Sequence, residues 1–231
     1  LGYQSLLERL TAENLRALYR AQYVPNNVVM ACVGDLDGAA FAPLARRVFG
    51  EWPRGAPYQI SVPTEPPVLS PKEDTEELPV QAAYVLMGFP SVRLADPALY
   101  ALDVLATIIG QGRSSRLHEA LVRTQQLAQV AGASNYTPLD PGVFMVSLRT
   151  EPAQAPEAVA AAQAIVEAVA QEGVTPKELR KAQRQVVADY VFGHQTIESK
   201  ADDLANSMAT TGDPEFSRRY VEGVQRVTAE E

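Results

Sequence analysis

The alternation of apolar and polar positions divides the chain into helical and extended stretches before any other property is considered. Leu15, Leu18 and Tyr19 recur at helical spacing between Thr11 and about Gln22, which predicts a helix with one apolar face. The turn residues Tyr23-Val24-Pro25-Asn26-Asn27 follow, and then the apolar run from Val28 to Val33, which predicts a buried strand. Gly34-Asp35 ends that run. Asp37 is placed to cap a short helix in which Phe41, Leu44, Ala45 and Val48 share a face.

From Trp52 to Pro79 the pattern lapses. Pro53, Pro57, Pro63, Pro66, Pro67, Pro71 and Pro79 fall there among acidic residues. Proline at that density forbids regular helix and resists sheet pairing, so residues 54–79 are expected to form a linker.

An α+β pattern follows. Val80 to Phe89 is apolar on both faces, as in a strand lying centrally in a sheet. Asp96-Pro97 supplies a cap and a first-turn proline for a helix through Leu99, Leu102, Leu105, Ala106 and Ile109 to Gly110. A second helix is expected from Ser115 to about Gln125. Leu127 to Asn135 and Gly142 to Arg149 read as two strands joined by Thr137-Pro138-Leu139-Asp140-Pro141, an antiparallel pair. The last third is helical. Ala155 to Gln171 ends at Gly173, and Thr175-Pro176-Lys177-Glu178 is a capping box with proline at the first helical position. That helix is expected to run to about Ala209, with a possible kink at Gly193, and Asp213-Pro214 begins another. Thr228-Ala229-Glu230-Glu231 is a further capping box, and Leu1 leads straight into a patterned segment. The chain is therefore read as a piece of a longer protein.

Composition narrows the picture. The 231 residues are 46% apolar, enough for one large domain or two unequal ones with a real core. A net charge of −8 with no basic stripe argues against nucleic acid as a partner. No run approaches the ~18–20 apolar residues of a membrane span. Cys32 is the single cysteine. It lies in the apolar run and is expected to pack as a small buried hydrophobe, and it excludes an internal disulfide and any cysteine-based zinc site. Such low cysteine usage fits bacterial cytoplasm and periplasm alike, so the compartment stays open.

Four motifs and one longer stretch carry a family resemblance. Gly110-Gln111-Gly112-Arg113-Ser114-Ser115-Arg116-Leu117 is similar to the "GGG-x-SSRL" of the pitrilysin/insulinase zinc peptidases, the group that includes the mitochondrial processing peptidase. Leu10-Thr11-Ala12-Glu13, Tyr23 to Val29 and Val33-Gly34-Asp35-Leu36-Asp37 resemble the run "LT-x-E … Y-x-PNN … VGD-x-D" that closes the first, zinc-bearing domain of those enzymes. The stretch from about Val80 resembles the start of their second, non-zinc domain. The resemblance implies an α+β fold, an antiparallel β-sheet backed by helices. Residues 1–53 would be the C-terminal remnant of a preceding similar domain and 80–231 the second domain, truncated at its C-terminus. It also implies two halves that close like a clamshell around a peptide.

The family's inverted zinc motif, H-x-x-E-H, occurs nowhere in the chain. A catalytic zinc takes about three protein ligands, and only His118 and His194 are present. His118-Glu119 invites an H-E-x-x-H reading, but Val122 stands where the second histidine would be. His194 and Glu198 lie one helical turn apart without a third partner. No catalytic residue and no metal ligand is expected in this chain. The zinc is expected in a parent or partner domain of the same family, and the other expected partner is a peptide substrate.

The resemblance further implies an arginine and, seven residues on, a tyrosine that hold substrate. Arg123 in Leu121-Val122-Arg123-Thr124-Gln125-Gln126-Leu127-Ala128 matches the first. The place of the tyrosine is taken by Gln129 or, depending on a one-residue gap, Val130. An amide still donates hydrogen bonds, so Arg123 and Gln129 are the candidate substrate-binding residues. The plainer reading of Arg123 is a solvated cation at a helix end. The loop from Gly110 to Ser115 lacks the phosphate-binding pattern G-x-x-x-x-G-K-[ST] and reads as a helix-to-helix turn. Two functions stay open. One is a non-catalytic C-terminal part of a zinc metalloendopeptidase that helps form its peptide-binding chamber. The other is an inert paralogue acting as a scaffold or regulatory subunit.

Overall fold

The computed structural model describes residues 2–57, 63 and 65–231. In chain order its elements are α1 (Gln4–Leu7), α2 (Ala12–Gln22), α3 (Gly38–Phe49), β1 (Ala83–Pro90), α4 (Leu99–Gly110), β2 (Val130–Tyr136), β3 (Val143–Thr150), α5 (Ala155–Glu172), α6 (Pro176–Gly193), α7 (Ile197–Thr211) and α8 (Phe216–Arg226). A π-helical turn spans His118–Thr124. Contacts group Leu1–Pro66 with Gln195–Glu215 in one unit, and Pro67–His194 with Phe216–Glu231 in another. Of the expected linker, residues 58–62 and 64 lie outside the described residues, and the rest carry no helix or strand.

In the first unit the expected helices form where their caps stand. The Thr11 hydroxyl accepts from the Asn14 amide while the Asn14 side chain accepts from the Thr11 amide, closing the start of α2. Asp37 accepts from the Ala39 amide at 2.9 Å at the start of α3. The strand expected from Val28 to Val33 does not form. The backbone is extended at Val28 (φ −124°, ψ 133°), but no strand among the described residues runs beside it. An apolar run needs a hydrogen-bonded neighbour to become a strand. Cys32 is accordingly exposed rather than buried. The apolar faces of α2 and α3 also stay largely open, with Leu15, Leu18, Tyr19, Leu44 and Val48 exposed.

The second unit is built on a three-stranded antiparallel sheet ordered β1-β3-β2. Side chains alternate across it. Val85, Met87, Leu148, Val146, Phe144, Ala131 and Ala133 lie on the face that belongs to the core, with Ile109 of α4 and Ala158 and Ala162 of α5. The small residues of α5 let that helix approach the sheet closely. Gly110 does the same for α4: a Cβ there would meet the Ala133 amide nitrogen at 1.8 Å. Behind α4, Val104 and Ile108 pack with Ala182 of α6 and Val224 of α8.

Three expectations change here. Among the described residues β1 is an edge strand rather than a central one, since only β3 pairs with it, and Tyr84 and Leu86 on its outer face are 70% and 74% exposed rather than buried. The helix after Ser115 widens into the π-helical turn, in which the Gln125 amide donates to the Ala120 carbonyl. The long helix from Thr175 stops at Gly193. His194 leaves helical geometry (φ −108°, ψ 26°) and Thr196, accepting from the Ser199 amide, starts α7. The Thr175 and Glu178 capping box and the Gly173 stop (φ 73°) are as the sequence indicates.

Candidate functional site

Neither histidine has the company a metal requires. His118 opens the π-helical turn, and its buried Nδ1 has no hydrogen-bond partner among the described residues. His194 follows α6, with Nδ1 at 2.6 Å from the Tyr190 carbonyl oxygen. Among the described residues no three histidine, cysteine, aspartate or glutamate side chains come together as a metal site. The donor set of this chain therefore does not fit a catalytic zinc.

Arg123 sits in the last turn of the π-helical segment, 70% exposed, paired with Glu119 one turn back. Gln129 lies just before β2. Its amide oxygen accepts from Arg149 Nε at 2.9 Å, and its amide nitrogen donates to Glu151 at 2.7 Å. Each candidate is engaged by its own neighbours. No hydrogen bond among the described residues joins Arg123 to Gln129.

The sheet has a second face that no helix of its unit covers. Tyr84, Arg149 and Val130 form one row across it, Leu86, Ser147 and Gly132 the next, and Pro90, Val143 and Tyr136 the last. Leu86, Tyr84, Tyr136 and Val130 are each more than half exposed. Tyr84 with Leu86 near one end and Tyr136 with Val143 near the other give this face two apolar groups, with Arg149, Ser147 and Ser134 between them. The sequence held a signal for this surface in the apolar alternate positions of β1, which were assigned to a buried environment instead.

On the helix side a polar network ties α4, β2 and α8 together. Asp103 accepts from the Asn135 amide at 2.7 Å and from the Tyr220 hydroxyl at 2.6 Å. Ser91 in turn donates to the Asn135 carbonyl oxygen at 2.5 Å. Burial pushes the Asp103 carboxyl above the usual carboxylate range, and the two donors only partly oppose that. Burial, with the Asp103 charge, pushes the Tyr220 phenol upward as well. Sequence reasoning passed over Asp103. Its signal was a lone acid within the apolar helix Leu99-Tyr100-Ala101-Leu102-Asp103-Val104-Leu105. No helix among the described residues is long and apolar enough to cross a membrane.

Comparison with known proteins follows the same lines. The family model described as the peptidase M16 inactive domain matches residues 9–186. An uncharacterised zinc protease of Streptomyces coelicolor is 26% identical over 204 residues, covering 84% of this chain and 43% of that protein. The zinc protease PqqE of Helicobacter pylori is 24% identical over 209 residues, covering 87% of this chain and 46% of that protein. The chain thus spans about half the length of the curated relatives it matches. Among solved structures, a protease from Helicobacter pylori superposes with a TM-score of 0.82 at 22% identity, covering 99% of this chain and 56% of that one. The M16 inactive domain from Pseudomonas fluorescens does so at 0.80 and 21%, covering 96% and 52%.

Proposed function

The chain belongs to the peptidase M16 inactive-domain family, and from that premise we propose that it forms one wall of a peptide-binding chamber whose zinc and hydrolytic chemistry reside in another domain or subunit. The observation that carries this reading is the sheet face that no described helix of its own unit covers, with Tyr84, Leu86, Val130 and Tyr136 on it. An extended peptide presents apolar side chains every second residue, the same period as the rows of that face. The relatives are named zinc proteases, while the histidines here do not assemble a metal site. A division of labour reconciles the two.

In this reading the wall binds and orients, and the chain moves no proton. The exposed guanidinium of Arg123 offers planar donors for a peptide carbonyl or terminal carboxylate once it leaves Glu119. Gln129 contributes less, because Arg149 and Glu151 already occupy its amide. That occupation is also the one observation favouring the second reading, an inert paralogue that scaffolds an active partner.

The test is photocross-linking. A benzophenone amino acid is placed at Leu86 or Tyr136 on the bare face, or at Arg180 on an exposed turn of α6 as a control, and the chain is incubated with unstructured peptides. Adducts at Leu86 and Tyr136 but not at Arg180 are expected. Equal labelling of all three positions, or none on the sheet face, overturns the proposal.

A further inference from the structure

A second feature, independent of the sheet face, lies on the opposite side of the second unit. A cavity of about 380 Å³ opens between α4, β2, α6 and α8. That is the size range of small-molecule sites. Asp103, Gln111, Asn135, Asp189, Tyr190 and Tyr220 are among the residues lining it, and no lysine or arginine is. Asp103 is already held by Asn135 and Tyr220. Asp189 is exposed and makes no hydrogen bond or ion pair among the described residues.

The backbone adds to the same sign of charge. Tyr190 opens the last turn of α6 with Asp189 just before it, and Gln111 directly follows α4. Two helix C-termini, each carrying about half a negative charge, therefore end beside the cavity. The opposite partial charge at the start of α8, near Ser217, offsets one of them. Tyr190 and Tyr220, whose rings also pack on His194 and Tyr100, border the cavity with aromatic groups of the kind that attract a cation, and the Asp189 carboxylate and the Gln111 amide oxygen, which already accepts from the Thr107 hydroxyl, supply acceptors. A carboxylate presents two oxygens to the two parallel N–H bonds of a planar cation.

We infer that this cavity binds a guanidinium group, paired with Asp189 and bordered by Tyr190 and Tyr220. The group comes either from a free small guanidinium compound or from an arginine side chain of a peptide. Asp189 is the specificity-determining residue, since Asp103 serves the internal network and Asp189 has no hydrogen-bond or ion-pair partner among the described residues.

The experiment titrates the 231-residue chain, labelled with ¹⁵N, with agmatine, with an end-blocked peptide containing one arginine, and with the uncharged analogue N-butylurea. Saturable shifts of the Gln111 and Ser134 amides are expected with agmatine and not with butylurea. Asp189→Asn, at an exposed position, is expected to keep the fold and to weaken agmatine binding about tenfold or more, as loss of a charged hydrogen-bond partner does. Glu157→Gln, an equal change of charge at an exposed position of α5 outside the cavity, should leave it unchanged. Binding of both agmatine and the peptide assigns the site to arginine side chains, and binding of agmatine alone assigns it to a free small cation. No saturable shift, equal shifts with butylurea, or an unchanged affinity in Asp189→Asn overturns the inference.

Discussion

The guanidinium of Arg116 grips the carboxylate of Glu178 at two points, Nε to Oε1 at 2.7 Å and Nη2 to Oε2 at 3.0 Å. The same Nη2 also donates to the Gly173 carbonyl at 3.1 Å. Glu178 is at once the second half of the Thr175 capping box. One side chain thus fixes the end of α5, the start of α6 and the turn that carries Arg116. Arg116→Ala should lower unfolding stability by about 1.5–3 kcal/mol, the range for hydrogen bonds to charged groups. Arg116→Lys, which keeps the charge but loses the two-point geometry, should recover only part of it. Urea unfolding followed by circular dichroism measures both.

The same pair sets an acid limit. The Arg116 hydrogen bonds, ahead of the Thr175 ones, lower the Glu178 carboxyl to about 2. The folded value lies below the unfolded one, so this stabilisation is complete above the ordinary glutamate range and is lost as pH falls toward 2. Thermal unfolding between pH 7 and pH 2.5 should show the loss in the native chain. Glu178→Gln should be less stable at neutral pH and show a shallower acid decline.

Tyr220→Phe removes a donor from a half-buried carboxylate. The expected cost is about 1–3 kcal/mol, because Asp103 keeps its partly desolvated place with one partner fewer. Burial already holds the Asp103 carboxyl above its unfolded value. Its contribution is therefore present below the ordinary aspartate range and is lost as pH rises through the raised folded value. Losing the Tyr220 donor raises that value further, so the destabilisation should be smaller in mild acid than at neutral pH. Chemical unfolding at the two conditions decides it.

Gly110→Ala puts a methyl group where the Ala133 backbone nitrogen already stands. Backbone cannot yield as a flexible side chain can, so α4 must move off the sheet. Overpacking of this kind costs typically about 1–3 kcal/mol. Differential scanning calorimetry should show a lower Tm, and Gly132, where a Cβ would stand 3.6 Å from both the Gly110 carbonyl oxygen and Ser147 Oγ in ordinary contact, should tolerate alanine better.

Leu86→Ser and Tyr84→Ala should separate stability from capture. Both side chains are mostly exposed, so stability should change by no more than about 0.5 kcal/mol. Peptide capture by the sheet face should fall together with the exposed apolar area. Arg123→Ala should weaken capture of peptides with a free terminal carboxylate more than that of end-blocked ones. Fluorescence anisotropy with labelled peptides reads all three.

Local signals in the sequence proved strongest where a single residue closes a hydrogen-bond circuit. Thr11, Asp37, Thr175 and Gly173 mark their helix ends because cap chemistry acts over three or four residues. Burial was harder. Val28 to Val33 and β1 read as interior strands because their residues are apolar, yet pattern alone does not say whether a neighbour lies alongside. At Gly193 the stop depended on the competing cap at Thr196. That the chain carries no H-x-x-E-H is a property of the sequence itself. The cavity beside Asp103 was not, because it joins residues as far apart as Asp103 and Tyr220, 117 positions along the chain.

That separation has a consequence for how the molecule is made. The second unit leaves the chain at His194 and returns only at Phe216. No single cut releases it whole, and a ribosome delivers Tyr220 long after Asp103. Until that late helix emerges, the acid waits in α4 without its phenol, and the growing polypeptide holds an unfinished interior.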